Sequence, residues 1–288
     1  VGPDVVTLDA VDDEWFTWVR ALDGSRTLDE VLRSAPDVDA GALVLRALAD
    51  AHCLDDAALA PRMLRRASVT ARDEIERQRP GVLAMYGSPE HVVALDRRAI
   101  TRVSVVGPQR ITGPLITHMR RSGLRVTGAE PTDDPGLVVL GTLDDPDALP
   151  ERRWAMTHAE LLVAVTGRRV SVGPLRIPGR TPCPQCEYLH RIDRDREWPR
   201  IASQIAHTPN DTADDALVEV GCAWATAIAR TAVDLGVATM RGTDEVPDLA
   251  ACTQRLEMHF PTGEVWARRA EFHPRCGCRW AVTPPAVA

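Results

Sequence analysis

Val103-Ser-Val-Val106-Gly107-Pro-Gln-Arg-Ile-Thr-Gly113-Pro114 is the stretch on which the fold turns. Residues 103–106 are short, apolar and β-branched, the signature of a buried strand. Gly107 to Gly113 reads as the turn after it, and Pro114 to Arg121 as a helix. Leu124 to Val126 follows as a second strand and Leu137-Val-Val-Leu140 as a third. A Rossmann-type α/β domain opens in this way. Its phosphate-binding fingerprint, G-x-G-x-x-G, would begin at Gly107, but Gln109 stands at the second glycine position and Thr112 at the third. The second glycine lets the backbone approach a pyrophosphate, and a side chain there obstructs it. Glu130, the nearby acid that could hold a ribose, is poorly placed. The expectation is a nucleotide fold that has lost its nucleotide, with no cofactor-binding residues.

Downstream, Leu161 to Val165 and Arg169 to Val172 read as two more strands around Gly167. They lead into Gly173-Pro-Leu-Arg-Ile-Pro-Gly-Arg-Thr-Pro-Cys183-Pro-Gln-Cys186, answered near the far end by His273-Pro-Arg-Cys276-Gly-Cys278. A C-x-x-C and a C-x-C together supply four thiolates in two tight pairs. Each pair fixes two ligands at low entropic cost, and a tetrahedral metal ties the pairs across the intervening chain. Four sulfurs leave no open position for water, so the expectation is structural Zn²⁺ on Cys183, Cys186, Cys276 and Cys278. His190 and His273 read as neighbours of the site, and Cys53, Cys222 and Cys252 as inert core thiols. A helix is expected from about Pro184 to Arg191, and a long one from Asp214 to Leu235 burying Cys222, Trp224 and Ile228. Arg255 to Phe260 and Val265 to Ala270 alternate around Pro261-Thr-Gly263. They read as a hairpin that returns the second cysteine pair to the first.

Upstream, Val5 to Leu8 reads as a short strand. Asp12 or Asp13 caps a helix carrying Trp15, Trp18, Val19 and Leu22, and Gly24 ends it. Thr27-Leu-Asp-Glu30 is a capping box opening a second short helix. A third is expected to be capped by Asp39, with Leu43, Ala47, Leu48 and Ala51 on one face. One strand and three short helices suggest a small winged-helix-like module over 1–58. Residues 59–100 read as a helical connector with a break at Pro80-Gly81, and 101–288 as the α/β domain. Asp13, Glu14, Asp29, Glu30, Asp37, Asp39 and Asp50 make the module acidic, which repels phosphate and argues against DNA binding.

The 288 residues have a net charge of −7, so a nucleic-acid partner has no bulk electrostatic support. No apolar run long enough to span a membrane and no signal peptide are recognised, so the cytoplasm is expected. Every basic residue other than His is Arg, which excludes mechanisms built on a Schiff-base or phosphate-binding lysine. Neither G-x-S-x-G nor H-E-x-x-H occurs. The acid pairs Asp133-Asp134, Asp144-Asp145 and Asp214-Asp215 fall in loops or helix starts, where capping explains them. No catalytic residue is identified.

With these pieces placed, the sequence resembles the ThiF-like, cyclodehydratase-associated proteins of thiazole/oxazole-modified peptide biosynthesis. These are the "C protein", SagC-like or Ocin-ThiF-like leader-peptide-binding partners of YcaO enzymes. The resemblance rests on Val172 to Cys186, on Leu189-His-Arg-Ile-Asp193 with Trp198-Pro199, and on His273 to Cys278. Leu22-Asp-Gly-Ser-Arg-Thr-Leu28 resembles the helix junction of the family's N-terminal recognition element. The resemblance implies a RiPP-biosynthesis role for a chain that is not itself an enzyme. The module would clamp a precursor leader peptide as an added strand, through Val5, Val6, Thr7 and Leu8 and the third helix's Leu43, Arg46, Ala47 and Asp50. The second domain would be a degenerate adenylating-enzyme domain of the ThiF/MoeB type, with the four cysteines at its structural zinc positions and homodimerisation common in the fold. ATP-dependent cyclodehydration would belong to a YcaO-type partner, to which this chain delivers substrate. The family's recognition element carries three strands before its helices, whereas here one strand, two at most, precedes Asp12. The alternative reading is a ThiF-type enzyme that adenylates a peptide carboxylate with ATP.

Overall fold

A computed structural model describes residues 7, 12–62, 64, 68–127, 136–143, 158–206, 212–240 and 250–279. The chain divides into two compact units, Val1–Arg97 and Arg98–Ala288.

In the first unit, Asp12 caps α1 (Asp13–Arg20) by accepting from the N–H groups of Glu14 and Trp15. Thr27 and Glu30 form the expected capping box at the start of α2 (Leu28–Arg33). Trp18 is buried, and its indole N–H donates to the Val31 carbonyl at 3.0 Å, tying α1 to α2. The third helix, α3 (Val38–Asp50), is capped by Asp37 and not by Asp39: the Asp37 carboxylate accepts from the Ala40 N–H at 2.8 Å, and Asp39 lies inside the first turn. Its core face also differs from expectation. Gly41 and Leu48 are buried, while Leu43 is 70% exposed and Ala47 faces solvent. A Gly41 side chain would start 2.8 Å from the Ala35 Cβ, too close for a carbon contact, and 3.5 Å from the Trp18 ring. The smallest residue therefore turns inward.

α4 (Val69–Tyr86) runs straight through Pro80-Gly81, where a break was expected. Proline removes one helical hydrogen bond. Val82 and Leu83, beyond it, are nevertheless buried, and Val82 joins Ile75, Ala94 and Leu95 in one cluster. Tertiary packing overrides the local breaker. The boundary between the units falls within α5 (Glu90–Ile100). Among the described residues of the first unit there is no strand. Of the expected strand, Thr7 is exposed without regular structure, and Val5, Val6 and Leu8 lie outside the described residues.

The second unit holds a seven-stranded sheet, β1 (Arg102–Val106), β2 (Arg125–Thr127), β3 (Leu137–Thr142), β4 (Ala159–Thr166), β5 (Arg169–Arg176), β6 (Gln254–His259) and β7 (Glu264–Arg269). The spatial order is β2-β1-β3-β4-β5-β6-β7. The first four in that order pair in parallel and the last three antiparallel. β3, β4 and β5 are buried almost throughout, and β1 at its three central residues. β7 is an open edge, exposed at every residue.

α6 spans Gln109–Arg121, so most of the expected turn after β1 is helix. Pro108 supplies the N-cap, and Pro114 sits inside the helix, held there because Ile111, Leu115 and Met119 are fully buried on the sheet. Across the sheet core lies α9 (Asp215–Asp234), capped by Asp214. Gly221 lets it approach β4 and β5 closely: a methyl there would sit 3.1–3.4 Å from Val165, Val170 and Val163. Cys222 is buried as expected, whereas Trp224 and Ile228 are only partly covered. α9 is also long and apolar enough, by length and composition, to cross a membrane. The expectation of no such segment is corrected; the apolar faces of this helix serve the core. Its last residue, Asp234, pairs with Arg98 through two bonds of 2.6 Å, both side chains essentially out of solvent. The remaining helices are α7 (Pro184–Arg194), α8 (Trp198–Ala206) and the short α10 (Ala250–Thr253).

Candidate metal centre

The two cysteine pairs come together in the second unit. After β5, a turn over 177–181 is closed by the Ile177 N–H donating to the Thr181 hydroxyl at 2.7 Å, with Gly179 in the left-handed region at φ 68°. This delivers Cys183 as the N-cap of α7, with Pro184 at the first helical position, where a missing N–H costs nothing. Cys186 follows one turn later, its N–H on the Cys183 carbonyl at 3.0 Å. The β6–β7 hairpin forms as expected and returns the chain. A tight turn places the Cys276 N–H on the His273 carbonyl at 3.0 Å, and Gly277–Arg279 coils into a short 3-10 turn carrying Cys278.

The four sulfurs lie within 4.8 Å of one another, with Cys183–Cys186 at 3.9 Å and Cys183–Cys276 and Cys186–Cys278 each at 3.5 Å. All four thiols are free. A tetrahedral centre with metal–sulfur bonds of about 2.3 Å spaces its sulfurs about 3.8 Å apart. The cluster therefore fits a metal ion, and an all-sulfur set is compatible with zinc. The thiols are unequal. A hydrogen bond from Cys183 holds Cys186 down to about 5, with the His273 backbone N–H also favouring its thiolate. Cys183 is pushed up by its bond to Cys186 and by burial, and burial pushes Cys278 up to about 11. The Cys186 thiolate is favoured unaided, whereas Cys183 and Cys278 would need a cation to ionise.

His273 braces the site from outside. It is buried, accepts at Nδ1 from the Arg275 N–H at 3.1 Å, and meets Asp193 through Nε2 at 2.7 Å. With Nδ1 accepting, Nε2 carries the proton, so neither nitrogen is left for a metal. The same bond to His273, with Arg275 close by, lowers the Asp193 carboxyl. His190 packs edge-on against His273 at 4.7 Å between ring centroids.

The other sequence-derived candidates separate. Leu43, Arg46, Ala47 and Asp50 share one exposed face of α3. Of these, Arg46 also lines an apolar groove of about 430 Å³, together with Leu22, Leu28, Leu32, Leu45 and Ala49 among others. Alternation of apolar residues did not reveal this groove, because its leucines read as core. Of the expected partner strand, only Thr7 is described. At the damaged fingerprint, Gln109 opens α6 and Thr112 is buried in its first turn. Gly107 has φ 145°, and a side chain there would collide with the Gly141 carbonyl across the switch point between β1 and β3. Asp214 caps α9 and Asp215 pairs with Arg110, so neither is poised for chemistry. Glu130, Asp133, Asp134, Asp144 and Asp145 lie outside the described residues. Cys222 and Cys252 are buried, but Cys53 is exposed and not a core thiol, because the turn after α3 points it outward.

Fold and site together define a mixed α/β protein with a four-cysteine cluster that could hold a metal ion. No known protein-family profile matches the sequence, and no curated protein matches it. Solved structures do share the fold. A heterocyclase in complex with substrate and cofactor superposes with a TM-score of 0.58 at 19% identity over 88% of this chain. The chain spans only 33% of that heterocyclase's length; a second structure of the same fold is the heterocyclase TruD. E. coli MccB with MccA-N7isoASN superposes with a TM-score of 0.61 at 12% identity, over 92% of this chain and 90% of that one. E. coli MccB with ATP gives 0.60 at 13% identity over the same shares. These likenesses show a shared fold.

Proposed function

We propose that this chain is a non-catalytic, substrate-recruiting subunit of an azoline-forming cyclodehydratase. It binds a precursor leader peptide through its first unit and presents it to a YcaO-type, ATP-dependent partner in the cytoplasm. The observation that carries this reading is α3, where Leu43 is 70% exposed and Arg46, on the same face, lines an apolar groove. A large apolar side chain left in water on a helix that also lines a concave apolar surface suits a peptide with alternating apolar residues. The solved structures of the same fold, one a heterocyclase with substrate and others MccB with MccA, support it. Val5, Val6, Thr7 and Leu8 would supply the strand to which the leader adds. Residues 1–58 form the recognition module, 59–100 a connector, and 101–288 the ThiF-like domain. Zinc on Cys183, Cys186, Cys276 and Cys278 staples that domain, which forms a homodimer.

The test is fluorescence anisotropy with the leader of the precursor encoded nearest this gene, titrated with full-length chain. Saturable binding is expected, weakened roughly tenfold or more by Leu43→Asp, the scale of a lost apolar anchor. No binding, or binding indifferent to that substitution, overturns the assignment. The second reading, ATP-dependent adenylation of a peptide carboxylate, is favoured by the full-length likeness to MccB with ATP. It requires ATP–pyrophosphate exchange, which the side chains of Gln109 and Thr112 and the absence of lysine disfavour.

A further inference from the structure

Beside the cysteine cluster, the second unit contains a cavity of about 340 Å³ that the recruiting role does not use. It lies between the C-terminal half of α7 and the ends of β6 and β7. Five arginines are among its lining residues: Arg191, Arg194, Arg255, Arg268 and Arg269. In a chain with a net charge of −7 this concentration is unexpected, because like charges gathered around a concavity repel one another.

Three carboxylates line the cavity as well: Glu187, Asp193 and Glu271. Glu187 is shared by two arginines, Arg255 at 2.6 Å and Arg176 at 3.0 Å, and both are buried. Asp193 is taken up by His273 and Arg275. Arg176 and Arg275 come from outside the lining, so each compensates an acid that the cavity's own arginines would otherwise have to satisfy. Glu257 lies 3.7 Å from Arg268, and the lining itself carries five arginines against three carboxylates.

The arginines are also held in place. Arg255 is 98% buried, its head group fixed by Glu187. Arg194 donates from Nε to the His190 carbonyl at 3.2 Å. Arg191 stacks over the Trp198 ring at 4.7 Å. Guanidinium groups ordered before a ligand arrives lose little entropy on binding, and their planar forks match the two oxygens of a phosphate or carboxylate.

We propose that this cavity is a binding site for a polyanion carrying phosphate or carboxylate groups, built from Arg191, Arg194, Arg255, Arg268 and Arg269. It is separate from the peptide face of the first unit and does not depend on the recruiting role. Its position at the open end of β7 leaves it accessible both to a free small anion and to an acidic group carried on a longer molecule.

The test is isothermal titration of the full-length chain with inorganic pyrophosphate and, separately, with citrate, at constant ionic strength. Saturable binding of pyrophosphate alone identifies a phosphate site, of citrate alone a carboxylate site, and of both a site selecting charge; each supports the proposal. Arg194→Ala and Arg269→Ala each weaken that binding roughly tenfold, the scale of a lost charge-assisted hydrogen bond. Arg77→Ala, on the other unit and paired only locally with Glu74, leaves it unchanged. Saturation by neither probe overturns the proposal, as does undiminished affinity in the two cavity variants, which would put the anion elsewhere, including at the nucleotide fold. Equal loss in Arg77→Ala would mean nonspecific charge attraction and overturn it too.

Discussion

Seven cysteines in one chain have three different fates, and their surroundings explain each. Cys53 is exposed, four thiols converge, and Cys222 and Cys252 are sealed in the sheet core. With metal bound, a thiol reagent such as DTNB should therefore titrate one thiol in the native protein. Adding a strong chelator should raise the count to five, and denaturation to seven. Five equivalents before chelation would mean that the cluster holds no metal. The sealed pair also governs alkaline behaviour. Burial pushes Cys222 up to about 12 and Cys252 to about 11, against 9.0 for an ordinary thiol. The folded value lies above the unfolded one, so this stabilisation is complete below pH 9 and is lost as pH rises toward 11 and 12. Each such thiol contributes a slope of about 1.4 kcal/mol per pH unit in that window. The urea midpoint should fall between pH 9 and 10.5, and the stability of Cys222→Ala should fall less steeply. Identical slopes in the two proteins would show that Cys222 ionises freely in the fold.

At the scale of elements, local signals were reliable where the chemistry is local. The Thr27–Glu30 capping box, the Pro261-Thr-Gly263 hairpin and the two cysteine pairs were legible because each needs only neighbours in sequence or a known coordination number. The failures cluster at prolines. Pro80 reads as a break and Pro114 as a helix start, yet α4 and α6 run through both, since residues on either side of each are pinned by burial that no short window sees. Nor could alternation reveal Arg176, Arg255 and Glu257, buried charges on strands where a sequence reading expects apolar side chains. They are tolerated because Glu187 and its neighbours pair them from other elements. The continuity of α4 has a measurable consequence. Pro80 is exposed, so replacing it with alanine removes no packing and restores the missing N–H bond within the helix. Pro80→Ala should stabilise the protein by about 1 kcal/mol or more, read as a higher urea midpoint. A lower midpoint would mean that the proline is needed to shape α4.

For the whole molecule, the decisive property is that the chain divides into two compact units and that, among the described residues, the cysteine cluster lies in the second. The cluster joins the start of α7 to the segment after β7, and β7 is held in the sheet only along β6. Without the metal, four thiols share a site in which one ionises easily and two resist it, so the return segment loses one of its anchors and keeps, among others, the bonds of His273 and Arg275 to Asp193. Metal binding is then part of the folding free energy of the second unit. A high-affinity chelator should lower the melting temperature of that unit markedly. It should also raise amide hydrogen exchange first over 183–194 and 264–279, ahead of the buried strands β1, β3 and β4. Protection of α1, α2 and α3 should persist, because their caps and the Trp18–Val31 bond are internal to the first unit. Uniform loss of protection across both units would mean that the chain unfolds as one cooperative body. An unchanged melting temperature would mean that the four cysteines carry no stabilising metal at all.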